Sequence, residues 1–200
     1  MQPNTFLQEQ QIIEASFRLG VDVFNSGFRP TFIVGLWRGG STVGIYLQEC
    51  LQTLGVTTDH IAIRTAYAGR KDYEAHRMDP DHPISVHGTQ YLIETLQHTD
   101  RLLLVDDVFG SGRNLAAVIQ KLQTRLRKNC PSSIRTACLF HRPEQRETHL
   151  QPDYVLKAVD AWLTLPYELK GLTDEELADH KPAFVALLQE FNLTPPDVSD

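Results

Sequence analysis

The segment Leu102–Leu115, LLLVDDVFGSGRNL, constrains the fold more than any other stretch of this chain. Four apolar residues predict a buried strand, and the helical period of Leu115, Val118, Ile119, Leu122 and Leu126 predicts an amphipathic helix. Between them lie two carboxylates and the short turn Gly110-Ser111-Gly112. A strand that runs through a tight turn into a helix is half of a parallel α/β unit. Ligands of such sheets bind outside the carboxyl ends of the strands. The helix N-terminus offers amide donors and a positive dipole end, which suit a phosphate, and the glycines let the anion approach the backbone. Two adjacent carboxylates beside an anion site repel each other unless a hard cation or a polyhydroxylated sugar lies between them. The plainer reading, an Asp pair that only caps a turn, leaves the apolar run and the Gly-Ser-Gly turn without a purpose.

The same pattern occurs earlier in the chain. Thr31–Leu36 reads as a buried strand, Trp37–Ser41 (WRGGS) as a tight loop, and Thr42–Leu54 as a helix. Arg38 with the amides of Gly39 and Gly40 forms a second candidate anion site. Two such loops predict a ligand with phosphates at both ends. Further strands are expected at His60–Arg64, Ile134–Phe140 and Tyr154–Val159, and a helix over Phe6–Leu19. The stretch Thr65–Gly88 is polar and without period, which inside a compact domain marks a functional loop or disorder. Thr173-Asp174-Glu175-Glu176 carries the pattern of a capping box.

Composition narrows the function classes. With 42% hydrophobic and 22% charged residues, the 200-residue chain is neither disordered nor fibrous. A net charge of −6 argues against a nucleic-acid-coating surface, although Arg125, Arg127 and Lys128 form a local basic patch. Cys50, Cys130 and Cys138 have no metal-ligand or disulfide spacing, so reduced thiols are expected. The first ten residues, MQPNTFLQEQ, lack the pattern of a signal peptide, and no apolar run is long enough to span a bilayer. A cytoplasmic protein without a membrane partner is the expectation.

VDDVFGSGRNL resembles the signature of the type I phosphoribosyltransferases that binds phosphoribosyl pyrophosphate (PRPP), and LWRGG resembles their pyrophosphate loop. The resemblance implies an α/β fold with a mostly parallel sheet flanked by helices and a small C-terminal hood. It implies one domain over 1–200, with a core at about 31–140, a base-binding hood at about 141–170 and C-terminal helices at 173–192. Asp106 and Asp107 would then hold the ribose hydroxyls, with Mg²⁺ at Asp107, through water or directly. Val108, Phe109, Gly110, Ser111, Gly112, Arg113 and Asn114 would form the 5′-phosphate loop. Arg38, Gly39 and Gly40 would contact the pyrophosphate. Tyr67, Arg70 and Lys71 would belong to a mobile loop that closes over the reacting centre.

Phe140-His141-Arg142-Pro143 and Asp160-Ala161-Trp162-Leu163 resemble the base-binding part of the bacterial 6-oxopurine enzymes, of the hypoxanthine and xanthine–guanine type. The resemblance assigns Arg142 to the 6-oxo group, Trp162 to stacking on the ring, and Leu163 and Asp160 to its edge. Gly110 departs from that pattern, because those enzymes typically carry a third Asp there, a general acid/base toward the purine. Asp72 or Glu74, or solvent, could take that proton. The expected activity is 6-oxopurine salvage by a Mg²⁺-dependent homo-oligomer, a dimer or tetramer. A transferase for another base, adenine or a pyrimidine, and a non-catalytic PRPP- or nucleotide-binding regulator are the alternatives.

Overall fold

The computed structural model describes residues 4–66 and 84–194. The chain folds as two compact units, residues 10–160 and residues 1–9 with 161–200.

In the larger unit, helix α1 (Glu9–Asn25) is followed by β2 (Phe32–Trp37), α2 (Gly39–Thr53) and β3 (Asp59–Ala66). After the undescribed stretch come β4 (Ser85–His87), α3 (Gln90–Thr95), β5 (Arg101–Phe109) and α4 (Arg113–Leu126). The strands β6 (Ser133–His141) and β7 (Tyr154–Ala158) complete the sheet. Its order is β4-β3-β2-β5-β6-β7, parallel except for the β3–β4 pair. This is the α/β fold with a mostly parallel, helix-flanked sheet that the alternating pattern predicts.

The core follows the two periodicities. Val34 and Leu36 of β2 and Leu102 and Leu104 of β5 share one face of the sheet, which α4 covers with Leu115, Val118, Leu122 and Leu126. Each of those four helix side chains contributes about 1.5–3 kcal/mol relative to exposure. Gly35, pointing to the opposite face, meets the first turn of α2. Helix α1 lies beside α2, where Gly20 faces Cys50.

Several boundaries differ from expectation. Trp37–Ser41 is not a loop: β2 runs to Trp37, the Trp37–Arg38 peptide is cis, and Gly39 and Gly40 are already helical. Strand β5 continues through both carboxylates to Phe109. Of the polar stretch Thr65–Gly88, the two ends pair as antiparallel strands, Ala66 opposite Ser85. Residues 67–83, with Tyr67, Arg70, Lys71, Asp72 and Glu74, lie outside the described residues. Phe6 belongs to a strand and the first helix starts later, at Glu9.

The smaller unit pairs β1 (Asn4–Phe6) in parallel with β8 (Trp162–Thr164), extended by a Leu7 N–H bond to the Thr164 carbonyl at 2.9 Å. Helices α5 (Asp174–His180) and α6 (Pro182–Glu190) complete it. Thr173 forms the capping box with Glu176, its hydroxyl accepting from the Glu176 amide at 3.2 Å. The expected hood at 141–170 is divided: β7 joins the central sheet beside β6, and the chain from Ala161 onward belongs to the smaller unit.

Candidate active site

The carboxyl end of β5 is built by close approach. An added Cβ on Gly40 would lie 2.9 Å from the Asp106 Cα and within the envelope of the Val105 carbonyl oxygen. One on Gly35 would lie 2.8 Å from both the Gly40 oxygen and the Ser41 Cα. The N-terminus of α2 therefore rests on β2 and β5 with no side chain between, and its cap residue, Arg38, is exposed there. On the other side of the same strand end, Gly110-Ser111-Gly112 leads into α4. Gly112 has a φ of +80°, and an added Cβ would lie 2.5 Å from Thr148 Oγ1 and 2.7 Å from Phe109 Cζ. Only glycine meets both demands. Two helix N-termini thus flank one carboxylate pair.

Asp106 and Asp107 are half-buried, and each turns a carboxylate oxygen to the following amide, at 3.0 Å to Asp107 N and 2.7 Å to Val108 N. Burial, then the charge of Asp107, pushes the Asp106 carboxyl well above the usual carboxylate range. Cys138 lies opposite Asp106 in the ladder, and burial with that neighbouring charge pushes its thiol up to about 12. Ser111 Oγ accepts from the Arg113 amide at 3.3 Å, which leaves its O–H able to donate to an anion. Val108 is half-buried and Phe109 buried; Asn114 is exposed at the helix start, whereas Arg113 is 9% exposed and lies 3.9 Å from Glu147.

Of the base-site residues, Arg142 is only 8% exposed, and its amide donates to the Phe109 carbonyl at 2.9 Å. It is therefore not a solvated loop charge. Asp160 is exposed at the end of the larger unit. Trp162 and Leu163 belong to the smaller unit, where Trp162 is 56% exposed and Leu163 is buried. The indole is not a core aromatic. The larger unit thus gathers Arg38, Gly39, Gly40, Asp106, Asp107, the Val108–Asn114 loop and helix start, and the backbone of Arg142.

The sequence reading missed the segment after Arg142. Residues Pro143–Gln145 form a 3₁₀ turn, and the Glu147 amide and Thr148 hydroxyl both donate to the Ser111 carbonyl, at 3.0 and 3.4 Å. An added Cβ on Gly110 would lie 3.4 Å from Gln145 Oε1. PEQRETH has no apolar period, and backbone donors leave no trace in residue type, so no local signal marks it.

The sequence profile of the phosphoribosyl transferase domain matches residues 4–170. The chain belongs to that family. The chain is 28% identical over 155 residues to the bifunctional protein PyrR of Acetivibrio thermocellus, covering 76% of this chain and 79% of that one. The xanthine-guanine-hypoxanthine phosphoribosyltransferase of Helicobacter pylori superposes with a TM-score of 0.62 at 20% identity, over 89% of this chain and all (100%) of that one. A hypothetical protein of Neisseria gonorrhoeae, solved with bound ppGpp, superposes with a TM-score of 0.67 at 17% identity, over 92% and 98% of the two chains. Likeness at these identities establishes the fold, which is that of the type I phosphoribosyltransferases, and 6-oxopurine enzymes are among its structural neighbours. Among the described residues no helix is long and apolar enough to cross a membrane.

Proposed function

We propose that this phosphoribosyltransferase-family chain transfers the 5-phosphoribosyl group of PRPP to a 6-oxopurine base, giving a nucleoside monophosphate and pyrophosphate. One observation carries the reading: the N-termini of α2 and α4 flank the Asp106–Asp107 pair at one strand end, held there by Gly40 and Gly112. A ribose bearing a phosphate at C5′ and a pyrophosphate at C1′ matches that spacing of anion, hydroxyl and anion sites. The Val108–Asn114 amides and the Ser111 hydroxyl take the 5′-phosphate, Asp106 and Asp107 accept from the ribose hydroxyls, and Arg38 with Gly39 and Gly40 takes the pyrophosphate.

In the reaction a ring nitrogen bonds to C1′ as the bond from C1′ to the pyrophosphate oxygen breaks. The nitrogen's proton leaves to solvent or to a carboxylate of the Thr65–Gly88 stretch, because Gly110 supplies none. Oriented amides and Arg38 stabilise the charge that gathers on the departing pyrophosphate, and fixed geometry lowers the entropic barrier. Within the larger unit, Arg142 donates to the 6-oxo group and Asp160 addresses the ring edge.

Two adjacent hard carboxylates fit Mg²⁺. Asp107, directly or through water, would hold the ion, which would supply charge neutralisation for the pyrophosphate. Among the described residues no three His, Cys, Asp or Glu side chains cluster.

Gly110 favours a second reading, a transferase for adenine or a pyrimidine, or a PRPP- or nucleotide-binding regulator without turnover. The relative named a bifunctional protein points the same way. The deciding assay is pyrophosphate release from PRPP and Mg²⁺ with hypoxanthine, guanine, xanthine, adenine and uracil supplied singly. Turnover with a 6-oxopurine is expected, and Asp107→Ala should lower kcat/KM by about 10²–10⁴-fold. Turnover with adenine or uracil alone reassigns the base; PRPP binding without turnover makes the chain a regulator.

The chain also self-associates in this reading. A hollow of about 270 Å³, lined by Ile33, Gly35, Ser41 and Ile61 among others, adjoins the exposed side chains of Trp37 and Ile45. A knob and a hollow on one patch suit a two-fold axis, which would seat each copy's side chain in the other's recess.

A further inference from the structure

The signature loop is held in part from outside. Two of its carbonyls, those of Phe109 and Ser111, are occupied by the segment Arg142–Thr148: the Arg142 amide donates to the first at 2.9 Å, and the Glu147 amide to the second at 3.0 Å. The Thr148 hydroxyl adds a longer bond to Ser111 O at 3.4 Å and packs against Gly112. The segment is itself closed, with Gln145 N–H on the Arg142 carbonyl at 3.0 Å and Arg146 N–H on that of Pro143 at 3.2 Å.

In a planar trans peptide the carbonyl oxygen and the amide hydrogen point to opposite sides. The 109–110 and 111–112 peptides are both trans. Pinning the Phe109 oxygen therefore aims the Gly110 N–H away from the segment, and pinning the Ser111 oxygen does the same for the Gly112 N–H. Without these bonds, glycines at 110 and 112 would leave both peptide planes free to turn, and a carbonyl facing an anion repels it.

We propose that Arg142–Thr148 is a clasp that presets the amides of the anion loop, with the Glu147 N–H as its main arm and Thr148 as its one side-chain positioning residue. This rests on the reading that the loop takes the 5′-phosphate of PRPP, and it is independent of which base is used. Because the 5′-phosphate does not react, a loosened clasp weakens binding of substrate and transition state alike. The clasp acts on the PRPP side only, although Arg142 begins it.

The test measures KM for PRPP, KM for the base, kcat, and direct binding of PRPP and ribose 5-phosphate by calorimetry. Thr148→Val, which keeps the shape and deletes the hydroxyl, should raise the KM for PRPP about threefold to tenfold, with kcat and the base KM within about twofold. Thr148→Ser should restore the wild-type value. Glu147→Ala keeps the N–H but removes the carboxylate 3.9 Å from Arg113, and it is the reference against which Glu147→Pro is read. Glu147→Pro removes the N–H and should raise the KM for PRPP about tenfold or more. If Thr148→Val and a folded Glu147→Pro both bind PRPP like the wild type, the clasp is overturned. It is equally overturned if Thr148→Val lowers the melting temperature while leaving every KM unchanged. A wild-type protein that binds neither PRPP nor ribose 5-phosphate overturns the phosphate reading and the clasp together.

Discussion

His141 carries a ring held edge-on to Phe109, with centroids 5.3 Å apart, and its Nε2 is buried with no hydrogen-bond partner in the described structure. Burial, then the nearby Arg146 charge, lowers its pKa below the ordinary 6.5. Protonation thus costs more in the folded protein than in the unfolded chain. The stability His141 lends is complete above the unfolded value and is lost as pH falls through the folded one. His141→Leu should therefore lose less stability than the wild type between pH 7 and pH 5. Thermal denaturation across that range checks it; equal slopes would mean the ring titrates as in solution. The carboxylates, the glycines and Arg38 were legible in the sequence because the signature is local, each residue defined by near neighbours. The state of His141 and the burial of Arg142 were not, since both follow from strands and turns far apart in sequence.

The N-terminus of α2 shows why an element can be read correctly and misplaced. Apolar period begins at Val43, so the sequence starts the helix near there. Gly39 and Gly40 carry no apolar signal, yet they are its first turn, because the helix must press its bare backbone onto β5. Gly40→Ala places a methyl group against the Val105 carbonyl and the Asp106 Cα, which are backbone and cannot swing aside. It should cost about 1–3 kcal/mol of stability, read by urea denaturation. By shifting Asp106 it should also weaken PRPP binding; a variant as stable as the wild type would mean that α2 can slide freely. Strands β1 and β8, with three residues each, escaped the sequence because so short a run fits either period, and Phe6 was absorbed into the helical pattern. The β5–turn–α4 unit was legible for the opposite reason: its apolar run, glycines and amphipathic helix agree.

For the molecule as a whole, the sequence disclosed the sheet and left its division into two units hidden, because no linker composition marks Asp160–Ala161. Ile45 lies on the larger unit, 60% exposed beside an apolar hollow. Ile45→Glu should convert the expected dimer to monomer in light scattering, while circular dichroism stays unchanged; wild-type protein that is already monomeric would remove the interface. The parallel pairing of Thr5 with Leu163 has a consequence in time. On a ribosome adding about 5–20 residues per second, Thr5 waits roughly eight to thirty seconds before its partner strand exists. The sheet of the larger unit can assemble meanwhile. During synthesis the strand Asn4–Phe6 thus stays unpaired until Trp162–Thr164 has been made, and until then its edge is open to any other nascent chain.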